Sequence, residues 1–161
     1  EKAEEPEPAP AAAGTSELAP PTSVSPALAE MSERKRKAAA KDLVNRANYM
    51  RKNGAYTKSL ERYVEALEHD PENAAAVSGG IQAYLELGNA EGALAWAHRL
   101  VELIPKSSGA YSLLGKAKLL AGDLEGAREA GEKALSIDRK NKGAQELLAE
   151  IEKAEKKKAK R

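Results

Sequence analysis

Gly54, Gly88 and Gly122 stand 34 residues apart, and four further columns keep the same interval. These are Leu43, Val77 and Tyr111; Ser59, Ala93 and Ala127; Ala66, Leu100 and Ala134; and Leu67, Val101 and Leu135. A register held this long restricts the chain to a stack of like units, because each unit repeats the same buried and exposed positions. A helix-length pattern lies on either side of each Gly: 41–53 and 57–69, 74–87 and 91–103, 108–121 and 125–137. Each unit is therefore predicted to be a helix hairpin. The Gly ends the first helix in a left-handed backbone, and Asn89 or Asp123, directly after it, caps the second. Ala55 has no side-chain oxygen to do the same. Pro71 and Pro105 close the second helices, whereas the third unit has Arg139 at that place.

The core has few materials. Phe is absent and aromatics make up 4% of the chain, so Ala, Leu, Ile and Val must fill it, which favours packed helices over a sheet. Six of the eight prolines fall in residues 1–32, a stretch with almost no large apolar side chain. Such a segment cannot bury enough surface to offset its ordering entropy, and 1–32 is read as a disordered linker rich in Pro, Ala and Glu. A linker implies a further element before Glu1. Residues 33–155 form the helical array with its capping helix, and 156–161 a basic tail. Charge is divided unevenly: residues 1–33 carry a net charge of −6 and the rest +7. Without cysteine there are no disulfides, no thiolate catalysis and no Cys-based zinc site, while the compartment stays open. No apolar run reaches the roughly 18 residues of a membrane helix.

These columns resemble the tetratricopeptide repeat, a helix-turn-helix unit with a period of 34 residues. The resemblance rests on Gly54, Tyr56, Tyr63, Ala66 and Pro71 in the first unit and Leu114, Gly115, Gly122, Ala127 and Ala134 in the third. It covers about residues 40–141, with 142–155 as a capping helix. Ile81 stands where the family usually has Gly or Ala, Gly131 replaces a large residue, and Leu100 replaces Ala. The fold implied is all-α: a right-handed α-solenoid of three hairpins plus the cap. Small residues at Ala93, Ala97 and Ala127 let helices approach closely, and Leu94, Leu103, Leu113 and Leu119 fill the seams between hairpins.

The function implied is a protein–protein interaction scaffold without a cofactor or a resident metal. The first helices of such a stack line its concave side. At a spacing of three to four they present Lys41, Val44, Asn45, Asn48, Arg51 and Lys52; Ser78, Gly79, Gln82 and Glu86; and Gly109, Ser112, Leu113 and Lys116. Lys41, Asn45, Asn48, Arg51, Ser78, Gln82, Ser112 and Lys116 are the candidate partner-binding residues. Asn48, Gln82 and Lys116 are equivalent by register and could hold the backbone of an extended peptide, while Lys41, Arg51 and Lys116 favour acidic side chains. Repeat proteins that clamp the acidic C-terminal tails of chaperones use Lys and Asn in the first repeat, Asn in the second, and Lys with Arg in the third. Of these only Asn48 is present, because Val44, Gly79, Gly109 and Leu113 hold the other places, which disfavours such a clamp.

Gly79-Gly80 within a helix costs on the order of 1 kcal/mol per glycine relative to Ala. Either a neighbouring helix packs closely there, for which the helix of Asn48 is the candidate, or the gap leaves room for a partner's side chain. Trp96 either covers a hairpin seam or stands exposed as an anchor for self-association into a homo-oligomer. Catalysis finds no support: His69 and His98 lack metal-pair spacing, and SGG at 78–80 is followed by no Gly-Lys-Ser/Thr. ERKRK at 33–37 and EKKKAKR at 155–161 offer a rival reading as anionic-surface or nucleic-acid binders. Charged ends that solubilise a stack explain them better, and no aromatic interleaves the lysines to stack on bases.

Overall fold

The structure, a computed structural model, describes residues 19–160, so the linker expected over residues 1–18 lies outside the described residues. Among the described residues, seven α-helices follow a short 3-10 turn at Pro26–Leu28: α1 (Glu33–Lys52), α2 (Tyr56–His69), α3 (Ala74–Glu86), α4 (Ala90–Leu103), α5 (Ser108–Leu120), α6 (Leu124–Ile137) and α7 (Lys142–Ala159). They pair as hairpins α1–α2, α3–α4 and α5–α6, and α7 packs on both helices of the last. The first helices also touch in sequence, α1 on α3, α3 on α5 and α5 on α7. This is the all-α solenoid that the period requires.

The punctuation of each unit has a local cause. Gly54, Gly88 and Gly122 have φ of 80°, 68° and 84°, a region that L side chains avoid, and no other described residue has positive φ. Behind two of them the expected caps form: Asn89 Oδ1 accepts from Gly92 N–H at 2.9 Å and Asp123 Oδ1 from Gly126 N–H at 2.9 Å. Asn73, Ser107 and Asn141 cap α3, α5 and α7 in the same way. Ala55 gives α2 no side-chain cap. Each cap contributes about 1 kcal/mol by pairing an N–H that the helix itself cannot.

Alanine dominates the core, and Ala47, Ala66, Ala83, Ala93, Ala97 and Ala117 are all fully buried. Such small faces let helix backbones close up, and a few large side chains then seal the seams. Trp96 is one of these at 1% exposure, edge-on to Tyr84 with ring centroids 5.7 Å apart. It covers a seam, which removes it as an exposed anchor for self-association. The glycine pair is explained by two rings. A Cβ on Gly79 would lie nearer than 3.0 Å to the Tyr63 ring of α2, and one on Gly80 equally near the Trp96 ring of α4. Close packing is thus the reason for both, but against α2 and α4 and not against Asn48's helix, and this chain's own rings fill the gap once considered for a partner.

The ends differ from expectation. Residues 19–32, read as part of the linker, are folded onto the first hairpin. Pro20 is buried, Ser25 N–H donates to the Glu68 carbonyl at 3.0 Å, and the turn at Pro26–Leu28 leads to Ser32, which precedes α1. Proline content signals a lack of regular structure, and irregular chain can still dock. Helix α1 starts at Glu33, well ahead of the 41–53 pattern, and α7 runs through Lys156, Lys157 and Lys158 to Ala159, so most of the tail is helical.

Candidate functional site

Stacking α1, α3, α5 and α7 side by side leaves a cleft of about 610 Å³ along their shared face. Its walls are Arg51 from α1; Gln82, Leu85 and Glu86 from α3; Leu113, Lys116, Leu119 and Leu120 from α5; and Glu150 from α7. Three of the eight candidate residues, Arg51, Gln82 and Lys116, come together here, as do Glu86 and Leu113. Lys41 and Asn45 are exposed and Ser78 half-buried, all three outside the cleft lining. Ser112 is buried at 5% exposure with its Oγ close under Gly143 at the start of α7, so the capping helix takes it out of reach.

The lining residues that the sequence reading passed over were written in the same register. Leu119 follows Leu85 by 34 residues and Leu85 follows Arg51 by 34, while Glu150 follows Lys116 by 34. Extending the period into the cap would have exposed Glu150, and counting apolar as well as polar columns would have exposed Leu85. Leu120 is the outermost of the group at 41% exposure. Leu119 also fills a seam, as expected, packing against the cluster of Ala127, Leu147 and Ile151.

Asn48 sits at the head of the polar column but is already engaged. The Tyr63 hydroxyl donates to Asn48 Oδ1 at 2.6 Å and accepts from Arg51 Nε–H at 3.4 Å. Tyr63 itself is fully buried, rooted in α2, with its hydroxyl end reaching the inner helices across the surface of Gly79. Burial pushes its phenol pKa up and the neighbouring guanidinium partly offsets this, so at neutral pH the hydroxyl keeps its proton and holds Asn48 as acceptor.

The electrostatics of the cleft are mixed. Arg51 and Lys116 bring positive charge, Glu86 and Glu150 negative, and among the described residues none of the four makes an ion pair within 4.0 Å. Charges held apart in this way are not neutralised by one another. The four leucines beside them supply apolar surface at about 25 cal/mol per Å² once covered. Among the described residues no group of His, Cys, Asp and Glu could hold a metal ion, and no helix is long and apolar enough to cross a membrane.

The sequence profile of the tetratricopeptide repeat matches residues 50–117. A TPR repeat-containing protein of Pseudomonas aeruginosa is 42% identical over 77 residues, which are 48% of this chain and 73% of that one. The Hsp70-Hsp90 organizing protein of Triticum aestivum is 33% identical over 101 residues, 63% of this chain but only 17% of the relative's length. Among solved structures, the first TPR of Spaghetti (RPAP3), bound to the HSP90 peptide SRMEEVD, superposes with a TM-score of 0.69 at 26% identity over 73% of this chain and 94% of that one. The Sgt2 TPR domain from Aspergillus fumigatus also gives 0.69, at 24% identity over 89% of this chain and 86% of its own, and speaks for the fold alone. With the 34-residue columns, the three hairpins and these likenesses, the chain belongs to the tetratricopeptide repeat family.

Proposed function

We propose that the array binds an extended peptide segment of a partner protein in the cleft between α1, α3, α5 and α7. An apolar side chain of the peptide sits among Leu85, Leu113, Leu119 and Leu120, and a carboxylate nearby meets Arg51 or Lys116. The observation that carries this is the composition of the cleft: four leucines from α3 and α5 beside Arg51, Lys116, Glu86 and Glu150, which make no ion pair among the described residues. Gln82, whose amide makes no hydrogen bond to other described residues, supplies a donor and an acceptor to the peptide backbone. Covering one leucine side chain is worth roughly 1.5–3 kcal/mol, so one or two such anchors with charge-assisted hydrogen bonds reach an affinity on the order of micromolar.

Peptides bound by the RPAP3 repeats, SRMEEVD and SGPTIEEVD, combine an apolar residue with a run of carboxylates, which supports the same ligand class. The ligand here differs in where its charge is met. Val44 is buried, Tyr63 fills the space over Gly79, and Gly109 has no side chain, so anion recognition falls to Arg51 and Lys116. Glu86 and Glu150 repel a long acidic run and select a peptide with one or two carboxylates.

The rival through basic ends is weakened by the first cluster. Lys37 pairs with Glu33 at 2.7 Å, which raises its pKa, and Arg36 Nε–H donates to the Met31 carbonyl at 3.3 Å. Two of its four cations are thus engaged within the chain.

Selection of a random dodecapeptide library on the full chain, followed by calorimetric titration of the selected peptides, tests the proposal. Leu120→Arg and Lys116→Glu are each expected to weaken binding at least about tenfold, the equivalent of 1.4 kcal/mol, with the helical circular dichroism unchanged. Undiminished binding by both variants would move the site off the concave face.

A further inference from the structure

Arginine in an open cleft samples many rotamers, and ordering it on binding costs free energy that subtracts from affinity. Arg51 differs from Lys116 in this respect. Its Nε–H points to the Tyr63 hydroxyl at 3.4 Å, and that hydroxyl is itself fixed by donating to Asn48 Oδ1 at 2.6 Å. The phenol has one hydrogen and two lone pairs. Giving the hydrogen to Asn48 leaves only acceptor capacity toward Arg51, so the order of donors along the chain is settled: Arg51 to Tyr63 to Asn48. The phenol cannot swing away, because its ring is fully buried and lies over Gly79, where any Cβ would overlap it.

With Nε engaged on the floor side and Arg51 in the cleft wall, the two terminal amino groups of the guanidinium are left for a ligand. A carboxylate takes two parallel N–H bonds from such a fork, which a mobile lysine cannot match. From these contacts we infer that Tyr63 is a positioning residue: anchored in the outer helix α2, it reaches through the glycine gap and pre-orients Arg51 as the carboxylate-recognition group of the cleft. Gly79 belongs to the same device, since a side chain there would displace the ring. The inference rests on the peptide-binding reading above and adds to it which cation discriminates acid from amide, and by what means.

Tyr63→Phe removes one oxygen and leaves the ring in place, so the full chain carrying it retains the packing over Gly79. Two measurements decide the matter. The first needs no ligand: in ¹⁵N side-chain spectra, with the Arg51 signal assigned by its loss in Arg51→Lys, the Nε–H of Arg51 is expected to exchange with water several-fold faster in Tyr63→Phe than in the parent. Equal exchange would overturn the positioning role. The second uses a fluorescein-labelled peptide from the library selection, in its acid form and with Glu and Asp replaced by Gln and Asn. The parent is expected to prefer the acid form, and Tyr63→Phe to lose about fivefold toward it while binding the amide form unchanged, the scale of one ordinary intramolecular hydrogen bond. Arg51→Lys should lose the same preference, and the double variant no more than either alone. A parallel loss for both forms would mean that Tyr63 is merely structural, and selected peptides without a carboxylate would overturn the inference outright. If the acid form binds and Leu120→Arg abolishes it while Tyr63→Phe keeps the acid preference, the cleft stands and only the inference falls. If no peptide depends on the cleft, the binding reading falls, and the exchange measurement still decides whether Tyr63 orders Arg51.

Discussion

The indole of Trp96 occupies the volume that a side chain at position 80 would need, and the bare backbone of Gly80 is what lets α4 lie so close to α3. Helix propensity alone favours Ala over Gly by about 1 kcal/mol. Overpacking a closed core costs about 1–3 kcal/mol, and Trp96 is too enclosed to yield. Gly80→Ala is therefore expected to destabilise the fold by up to about 2 kcal/mol net, seen as a lower urea midpoint in the fluorescence of the chain's single Trp. Gly80→Ala combined with Trp96→Leu, followed by circular dichroism, should cost less than the sum of the two single changes. Strict additivity would mean that the two sites do not share space.

Capping gives a prediction of opposite sign at equivalent positions. Asn89→Ala and Asp123→Ala each remove an acceptor held at 2.9 Å and should cost about 1 kcal/mol. Ala55 begins α2 without any side-chain cap, so Ala55→Asp should stabilise by about 0.5–1 kcal/mol. Chemical denaturation of the three variants checks all of this. A neutral result for Ala55→Asp would show that the backbone there, with ψ of 62°, does not admit the cap geometry.

Alkaline pH should weaken the fold through its buried phenols. Burial raises the pKa of Tyr63, partly offset by Arg51, and burial alone raises that of Tyr84. A phenol with a folded value above its unfolded one stabilises the native state while protonated. The contribution is complete below the ordinary value of 10.0 and is lost as pH rises through the folded values. Urea midpoints should hold steady up to about pH 9.5 and then fall, and the fall should be shallower in a Tyr63→Phe, Tyr84→Phe variant than in the parent. An identical slope in the two proteins would remove the phenols as its source.

The two signs of charge in the cleft should act oppositely on an acidic peptide. Glu150→Gln is expected to strengthen binding of the acid form and Lys116→Gln to weaken it, each by about two- to fivefold, the scale of a partly exposed pair. Both effects should shrink between 50 and about 500 mM salt as screening shortens. Changes of the same sign in the two variants would show that charge at the cleft does not select the ligand.

Much of this molecule was legible in its sequence, and the places where reading stopped have physical causes. The 34-residue columns located every hairpin, because the turn glycines and the caps behind them are local requirements that leave local marks. Gly79 and Gly80 announced close packing, yet their partners lie on other helices, and no local rule says which ring will arrive. Ser112 has the right spacing for the concave face and is lost to it only because α7 closes over it near Gly143. The cleft leucines were overlooked for a related reason. An apolar residue on a repeat is ordinarily core, and only the cleft between the inner helices leaves Leu85, Leu119 and Leu120 partly uncovered. Residues 19–32 dock through one backbone hydrogen bond and a buried proline, neither of which needs a periodic pattern.

The register that built the fold continues through Asn48, Gln82, Lys116 and Glu150, one from each inner helix. Along that line the side chains pass from two neutral amides to a cation and then to an anion. The array is therefore vectorial. On the peptide-binding reading, a peptide threaded along it one way brings its carboxylate to Arg51 and Lys116 and its cationic or N-terminal end toward Glu150, and threaded the other way it meets like charge. On that reading, repeats of nearly identical backbone give a groove that tells a sequence from its reverse.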